Sequence, residues 1–296
     1  MRYSFNMYKG VVIRELEKHI GKENVKEMVV TKNNDQKVEG VQLYIPGQAS
    51  PIIYFQNYTD CYDDTDVKEF VQRAVDTYNN AKHMKRVSIQ DVYDWNKMKN
   101  YVVPKICNFE RNQERIKEKV YVRVLDFAVT FSIRTTELME QLGDGRIAVN
   151  ESMLEIWGIT VEELYNQAMQ NLNDSKYQIN SLGEMLGVED LNSAAPTLYL
   201  ITTFKGNAGA AVLLSSVILQ KACEKLESKK IYILPSSVSE VLVLDAEDPD
   251  VVVNELQKMV REINEAIVSP EEYLSDNVYV FENGTISIAE NACGEE

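Results

Sequence analysis

Residues 198–245 read LYLITTFKGNAGAAVLLSSVILQKACEKLESKKIYILPSSVSEVLVLD, and this stretch decides the fold. An apolar, strand-like run is followed by small residues and then by apolar positions at helical spacing. Two further short runs are rich in Ile, Val and Leu, which favour strands. The pattern predicts a helix over 208–226 and strands over 231–235 and 240–245.

The same helix–strand–strand order recurs further along the chain. Asp-Pro at 248–249 suits the N-cap and first position of a helix, so we predict a helix over 249–267. Strands over 277–282 and 285–289 follow, joined by the turn Glu-Asn-Gly at 282–284. A repeated α-β-β unit favours an α+β fold with helices packed on an antiparallel sheet.

This larger α+β module is predicted to span residues 117–296. The elements expected before the repeat are a strand at 120–133, a short helical turn at 137–142, a tight turn at 143–145, and a strand at 146–149. A pair of helices follows, and Gly158 ends the first of them. Thr160 and Glu163 have the spacing of a capping box at the start of the second.

A smaller module is predicted over residues 1–84. Its first helix carries apolar residues on one face, from Phe5 to Ile20, and ends at Gly21. Three short strands are expected next, at 25–31, 38–45 and 51–55. A second helix begins among the acids at 63–66, which the helix dipole favours. The predicted order is therefore α-β-β-β-α.

Residues 85–116 are predicted to be a basic helical connector between the two modules. The stretch 82–119 has ten Lys and Arg residues against five Asp and Glu residues. We expect short helices at 89–100 and 109–119, separated by Pro104. A basic run of this kind is typical of a solvated helix face, and it would also suit contact with an anion or a nucleic acid.

Charge is divided unevenly along the chain, whose net charge is −15. Residues 1–116 hold 18 Lys and Arg against 16 Asp and Glu, whereas residues 117–296 hold 13 against 30. A strongly acidic C-terminal half keeps a protein soluble and repels nucleic acid and anionic lipid. Neither nucleic acid nor a membrane is therefore an expected partner. The acidic surface either serves solubility alone or also selects a protein partner.

The expected location is the cytoplasm, and no membrane contact is predicted. Residues 1–21 lack the uninterrupted apolar core of a signal peptide, and the longest apolar runs fall short of the ~18 residues that a spanning helix needs. The cysteines lie far apart in sequence, which is typical of reduced thiols. They are Cys61, Cys107, Cys223 and Cys293.

Two short motifs invite a catalytic interpretation, and each also has a structural one. The run GNAGAA at 206–211 lies between a strand and a helix, where backbone amides bind phosphate, but it lacks both nucleotide-binding fingerprints. Small residues there also allow close packing. Ser236 and Ser237 would need a general base to act as nucleophiles, and the chain has only His19 and His83.

A group of acids precedes the last predicted helix, and carboxylates at such spacing bind hard cations. They are Asp245, Glu247, Asp248 and Asp250. A helix N-terminus favours the same residues without any metal. The sequence otherwise lacks zinc-binding motifs, and no cofactor is predicted.

Tyrosines recur at intervals of four around the third predicted strand, as Tyr54, Tyr58 and Tyr62. Exposed together, they would form an aromatic contact surface for a partner. The same spacing is equally consistent with some of these tyrosines lying in the core and the others in a loop.

Several stretches resemble a large uncharacterised bacterial family, the domain of unknown function five-six-eight-eight, found mainly in gut-dwelling Gram-positive bacteria. The resemblance rests on YILPSSVSEVLVL, LYLITTFKGNAGAA, VLDFAVTFSI, GRIAVNESMLEIWGITVEELYNQAMQN and PIIYFQNYTDCY. The order of elements is also distantly similar to the domain of unknown function one-four-four-four. Neither resemblance implies an activity, a ligand or a catalytic residue.

The leading hypothesis is a non-enzymatic protein-interaction or adaptor protein, because standard nucleophile, metal and nucleotide motifs are missing from the sequence. One alternative is a cation-dependent enzyme that uses the carboxylates at 245–250. Another is a nucleic-acid-associated protein that binds through residues 82–119. The oligomeric state does not follow from the sequence.

Overall fold

The computed structural model of the chain describes residues 2–47, 50–55, 61–83, 89–134, 146–187, 196–203 and 209–290. These residues separate into two compact units. The smaller unit contains residues 2–32 and 36–83, and the larger contains Asn33–Asp35 and the described residues from Ile89 onward. Helices and antiparallel sheets occur in both, so the predicted α+β class is confirmed.

The smaller unit has the predicted order α-β-β-β-α with two short strands added. Its elements are β1 (Arg2–Tyr3), α1 (Phe5–Ile20), β2 (Val25–Thr31), β3 (Lys37–Leu43), β4 (Ile52–Tyr54), β5 (Tyr62–Asp63) and α2 (Asp64–His83). Strands β2, β3 and β4 form an antiparallel sheet in that order, and β1 pairs with β5. Gly21 ends α1 with a φ of 91°, a conformation that favours glycine.

The core of the smaller unit follows the helical and strand periodicities of the sequence. Val12 and Leu16 on α1, and Val41 and Leu43 on β3, are completely buried. Aromatic rings complete this core, and Phe55 stacks on Phe70 of α2 with ring centroids 5.0 Å apart. The apolar faces of both helices are therefore used in packing.

The larger unit begins with short helices and a mainly antiparallel sheet. Its first elements are α3 (Ile89–Val92), α4 (Trp95–Met98), β6 (Val102–Asn108), α5 (Gln113–Ile116), β7 (Tyr121–Val124), β8 (Phe127–Arg134) and β9 (Arg146–Ala148). Strand β8 lies in the middle, between β6 on one side and β7 with β9 on the other. All of these pairings are antiparallel.

The prediction of a purely helical connector is wrong for its second half, because residues 102–108 form strand β6. No strand was predicted around Pro104 because proline usually interrupts a sheet. It is tolerated here because β6 is an edge strand, where one side needs no donor. The predicted single strand over 120–133 is likewise two strands, separated by a turn in which Leu125 has a φ of 55°.

The rest of the larger unit contains the repeated α-β-β pattern and a second sheet. Its elements are α6 (Glu151–Trp157), α7 (Val161–Asn173), β10 (Tyr177–Ser181), α8 (Leu182–Leu186), β11 (Tyr199–Thr203), α9 (Ser216–Leu226), β12 (Lys230–Ser237), β13 (Glu240–Asp245), α10 (Val253–Ala266), β14 (Tyr279–Glu282) and β15 (Thr285–Ile288). The strands form one antiparallel sheet in the order β10-β11-β13-β12-β14-β15. The sequence did not predict β10, which is a half-buried edge strand rich in polar residues.

Local signals at the helix ends are confirmed where side-chain chemistry is specific. Thr160 and Glu163 form the predicted capping box of α7, and Gly158 adopts the left-handed conformation after α6. The turn between β14 and β15 uses Asn283 and Gly284, both with positive φ, as a two-residue hairpin requires.

The two long helices of the repeat start later than predicted. Residues 209–214 form a 3₁₀ segment, and α9 begins only after Ser215, whose side chain accepts a hydrogen bond from the Ile218 amide at 3.1 Å. Pro249 lies in a turn closed by a hydrogen bond from the Val251 amide to the Asp248 carbonyl at 3.1 Å. Helix α10 therefore starts at Val253.

Asp126, in the turn between β7 and β8, connects the two sheets of the larger unit. One carboxylate oxygen accepts a hydrogen bond from the Tyr279 hydroxyl at 2.6 Å. The other accepts hydrogen bonds from the Ser275 hydroxyl at 2.7 Å and from the side-chain amide of Asn277 at 3.1 Å. Tyr279 is completely buried, and burial followed by the Asp126 charge raises the pKa of its phenol.

In the part of the chain that the structure describes, no helix is both long enough and apolar enough to cross a membrane.

Helix α10 covers one face of the second sheet, and its burial can be tested by truncation. Leu244 on β13 is 1% exposed and belongs to the apolar cluster against which α10 packs. Leu244→Ala should therefore lower the free energy of unfolding by about 2–5 kcal/mol. Ile267→Ala should change it by less than about 0.5 kcal/mol, because Ile267 is 78% exposed. Urea denaturation measures both, and equal losses would show that α10 does not cover this face.

Candidate functional site

The acids proposed as cation ligands take part in local turns. The Asp245 carboxylate accepts a hydrogen bond from the Glu247 amide at 2.9 Å, and that of Asp248 accepts one from the Asp250 amide at 3.0 Å. The Glu247 carboxylate accepts a hydrogen bond from the Lys229 amide at 3.1 Å. Nowhere in the described ranges do three or more His, Cys, Asp or Glu side chains form a group that could hold a metal ion.

Ser236 and Ser237 are the last two residues of β12, so they lie in the strand and the turn begins only at Val238. Both are half-buried, and the Ser237 hydroxyl accepts a hydrogen bond from the Ser239 amide at 3.1 Å. The histidines of the chain, His19 and His83, both belong to the smaller unit. The larger unit therefore has no imidazole that could activate Ser236 or Ser237.

Half of the small-residue run at 206–211 lies within the described residues, and it is closely packed. The Ala210 amide donates a hydrogen bond to the Val238 carbonyl at 3.0 Å, so this amide is engaged. A β-carbon on Gly209 would lie 2.2 Å from the same carbonyl oxygen. The glycine at 209 thus allows the 3₁₀ segment to approach the β12–β13 turn.

The described tyrosines near β4 do not form one exposed surface. Tyr62 is only 5% exposed and stacks on Tyr8, with ring centroids 4.2 Å apart. Tyr54 is half-buried on the edge strand β4, and the Lys32 ammonium lies 3.5 Å from its ring centroid. Tyr58 lies outside the described residues.

A concave groove in the smaller unit lies between α1 and α2. Its volume is about 1130 Å³. Three valines at intervals of four along α2, Val67, Val71 and Val75, line it together with Val11 of α1. Val67 and Val71 are buried, whereas Val11 and Val75 are half-buried. The floor of the groove is therefore apolar and partly accessible.

Charged residues surround this apolar floor. The acids among them are Glu15, Asp64, Glu69 and Asp76, and the cations are Lys68 and Arg73, with His19 beside them. Glu15 accepts a hydrogen bond from Lys18 at 2.6 Å, and this bond lowers the pKa of the Glu15 carboxyl. Gln72 donates to the Asp76 carboxylate at 2.9 Å.

The described lining of the groove holds His19 and one threonine, Thr77. The Thr77 hydroxyl donates a hydrogen bond to the Arg73 carbonyl at 2.8 Å. The partial exposure of Val11 and Val75 depends on how α1 and α2 pack together, which residue spacing along one helix does not specify.

The comparisons with known proteins give one match. The model of the family described as "Family of unknown function (DUF5688)" matches residues 5–283. No curated protein matches the chain. No solved structure matches it either.

Close packing at Gly209 can be separated from a conformational need for glycine by a matched pair of substitutions. Gly209 and Gly187 both have positive φ, but only Gly209 has neighbours within 4 Å of an added β-carbon. Gly187→Ala should cost about 1–2 kcal/mol from backbone strain. Gly209→Ala should cost a further ~1–3 kcal/mol from overpacking. Equal losses in thermal unfolding would contradict close packing.

Divalent cations should leave the melting temperature almost unchanged, because backbone amides already occupy carboxylate oxygens of Asp245 and Asp248. A cation at ~100 times its dissociation constant would add ~2.7 kcal/mol to stability. Differential scanning fluorimetry with Mg²⁺ and with Ca²⁺ measures this. A saturable rise that disappears in Asp245→Asn plus Asp248→Asn would establish a metal site instead.

Proposed function

The chain belongs to the Family of unknown function (DUF5688), and we propose from its own residues that it is a non-enzymatic protein-interaction protein. The groove between α1 and α2 is the binding surface in this proposal. The observation that carries it is a groove of about 1130 Å³ with an apolar valine floor, of which Val11 and Val75 are partly accessible, flanked by charges. Grooves of this kind bind the apolar face of an amphipathic helix.

The length of the groove supports a helical occupant. Lining residues extend along α2 from Asp64 to Asn80, a rise of ~24 Å at the spacing of an α-helix. A partner helix of about four turns fits that length. Its apolar residues at intervals of three and four would meet Val11 and Val75.

Charge further restricts the partner. Four carboxylates line the groove against one lysine and one arginine, so the lining is acidic overall when His19 is neutral. A partner segment with basic residues beside its apolar face is favoured, because complementary charges orient an encounter and exclude acidic competitors.

We also propose that the protein acts in the cytoplasm. Cys107 and Cys223 are both buried thiols outside any disulfide. Burial raises the pKa of the Cys107 thiol, which keeps it protonated and unreactive. Such thiols are consistent with a reducing compartment, where disulfides are rare.

The groove can be tested by capture of partners from native lysate with matched variants. Val75→Glu places a carboxylate on the groove floor and should reduce recovery of the bound partner by at least about tenfold, since a buried unpaired charge costs several kcal/mol. Val29→Glu is the control, because Val29 is 59% exposed on β2 of the same unit and does not line the groove. Quantitative mass spectrometry measures recovery.

Thermal melts first confirm that both variants are folded. Recovery that Val75→Glu leaves unchanged would refute the groove as the binding surface. Recovery of a nucleic acid instead of a protein would favour the nucleic-acid alternative.

A further inference from the structure

The sheet of β6, β7, β8 and β9 has one apolar face and one mixed face, called the polar face below, where buried Cys107 and Ala128 lie beside polar side chains. Along β8, Phe127, Val129, Phe131 and Ile133 are at most 1% exposed and point to the apolar face. Thr130 and Ser132 alternate with them and point to the other face. Because Lys105 on β6 lies directly opposite Thr130, its side chain shares the polar face.

A segment after β6 brings further cations to this polar face. Ile116 of α5 packs against Cys107 and Ala128, both of which lie on the same face as Lys105. This packing holds the chain from Arg115 to Lys119 over the sheet. Arg146 on β9 shares the face as well, since it pairs with the end of β8.

These cations are close enough to affect one another. Burial, followed by the charges of Arg146, Arg115 and Lys119, lowers the pKa of Lys105 to about 8. Burial and the charge of Arg115 lower the pKa of Lys119 to about 8. Both lysines therefore remain mostly protonated at pH 7, although burial and the neighbouring cations disfavour the charged form.

Within the described residues, no acid pairs with either of the two lysines. Among the residues that the structure describes, no carboxylate oxygen lies within 4.0 Å of the ammonium of Lys105 or Lys119. Asp35 is the acid at the start of α5, and its carboxylate accepts hydrogen bonds from the backbone amides of Glu114 and Arg115 at 2.9 and 2.8 Å. Partly buried positive charge without a counter-charge is costly, and a bound anion removes that cost.

We propose that the polar face around Lys105, Arg115, Lys119 and Arg146 binds a small, phosphate-bearing ligand. A phosphate monoester carries about −1.5 to −2 charges at pH 7 and several acceptor oxygens, which match clustered lysine and arginine donors. The hydroxyl groups of Thr130 and Ser132 add polarity to the same face.

A compact anion fits this surface better than a nucleic acid. Lys105 and Lys119 are half-buried, so an extended phosphate backbone has poorer access to their ammonium groups than a small anion has. The rest of the surrounding sequence is also strongly acidic, with 30 Asp and Glu residues against 13 Lys and Arg in residues 117–296. Such a field repels a long polyanion but acts less on a small ligand held at close range.

Calorimetric titration of the full chain with inorganic pyrophosphate tests the site, because pyrophosphate presents the proposed chemistry without a base or sugar. Saturable binding is expected at constant ionic strength and pH 7. Lys105→Met and Lys119→Met, which keep the length of the side chain, should each weaken binding at least tenfold. Lys117→Met is the matched control, since Lys117 is exposed two residues from Lys119 and its loss should change affinity less than twofold.

Melting temperatures without ligand separate a binding role from a structural one. Lys105→Met should keep or raise the melting temperature, because it removes a partly buried charge that no described carboxylate neutralises. A marked fall would show that Lys105 has a structural counter-charge, which would overturn the proposal.

Three other outcomes would also overturn it. They are the absence of saturable binding at millimolar pyrophosphate, an equal loss of affinity in Lys117→Met, and tighter binding of a single-stranded oligonucleotide that competes with pyrophosphate.

Discussion

The two sheets of the larger unit are tied together by the hydrogen bonds that Asp126 accepts from Tyr279, Ser275 and Asn277. Asp126 follows Leu125, which has a positive φ, so the β7–β8 turn aims the carboxylate at the second sheet. Hydrogen bonds to an ionised group are stronger than neutral ones, and removing one partner leaves a buried polar group unsatisfied. The positions of β8 and β14 relative to each other therefore depend on this one carboxylate.

The central position of β8 explains why its two faces have different roles. Its apolar side faces the core, where the ring centroids of Phe127 and Tyr279 are 5.2 Å apart. Once that face is buried, strand alternation obliges Thr130 and Ser132 to point the other way. The cations of β6 and β9 then gather on the polar face, so the proposed phosphate site is a consequence of the same register that builds the core.

The sequence predictions were confirmed at several local features, although the Asp248-Pro249 helix start was wrong. The capping box at Thr160, the turn at Asn283-Gly284 and the end of α1 at Gly21 depend on residues within a few positions of each other. They failed at edge strands, because β6 contains a proline and β10 is polar, and both are strands only through pairing with a distant neighbour. The candidate acids could be located from sequence, but their engagement by backbone amides could not.

The sequence by itself determined the α+β class, the repeated α-β-β order and the uneven charge, because composition and periodicity carry them. The family followed from the resemblance of its motifs. Only the tertiary structure decided that Tyr62 is core, that Val75 on α2 remains partly accessible, and that Lys105 and Lys119 share one face. The physical reason is that exposure and charge proximity depend on which residues distant in sequence pack together. A one-dimensional pattern specifies the face on which a residue lies, but not what covers that face.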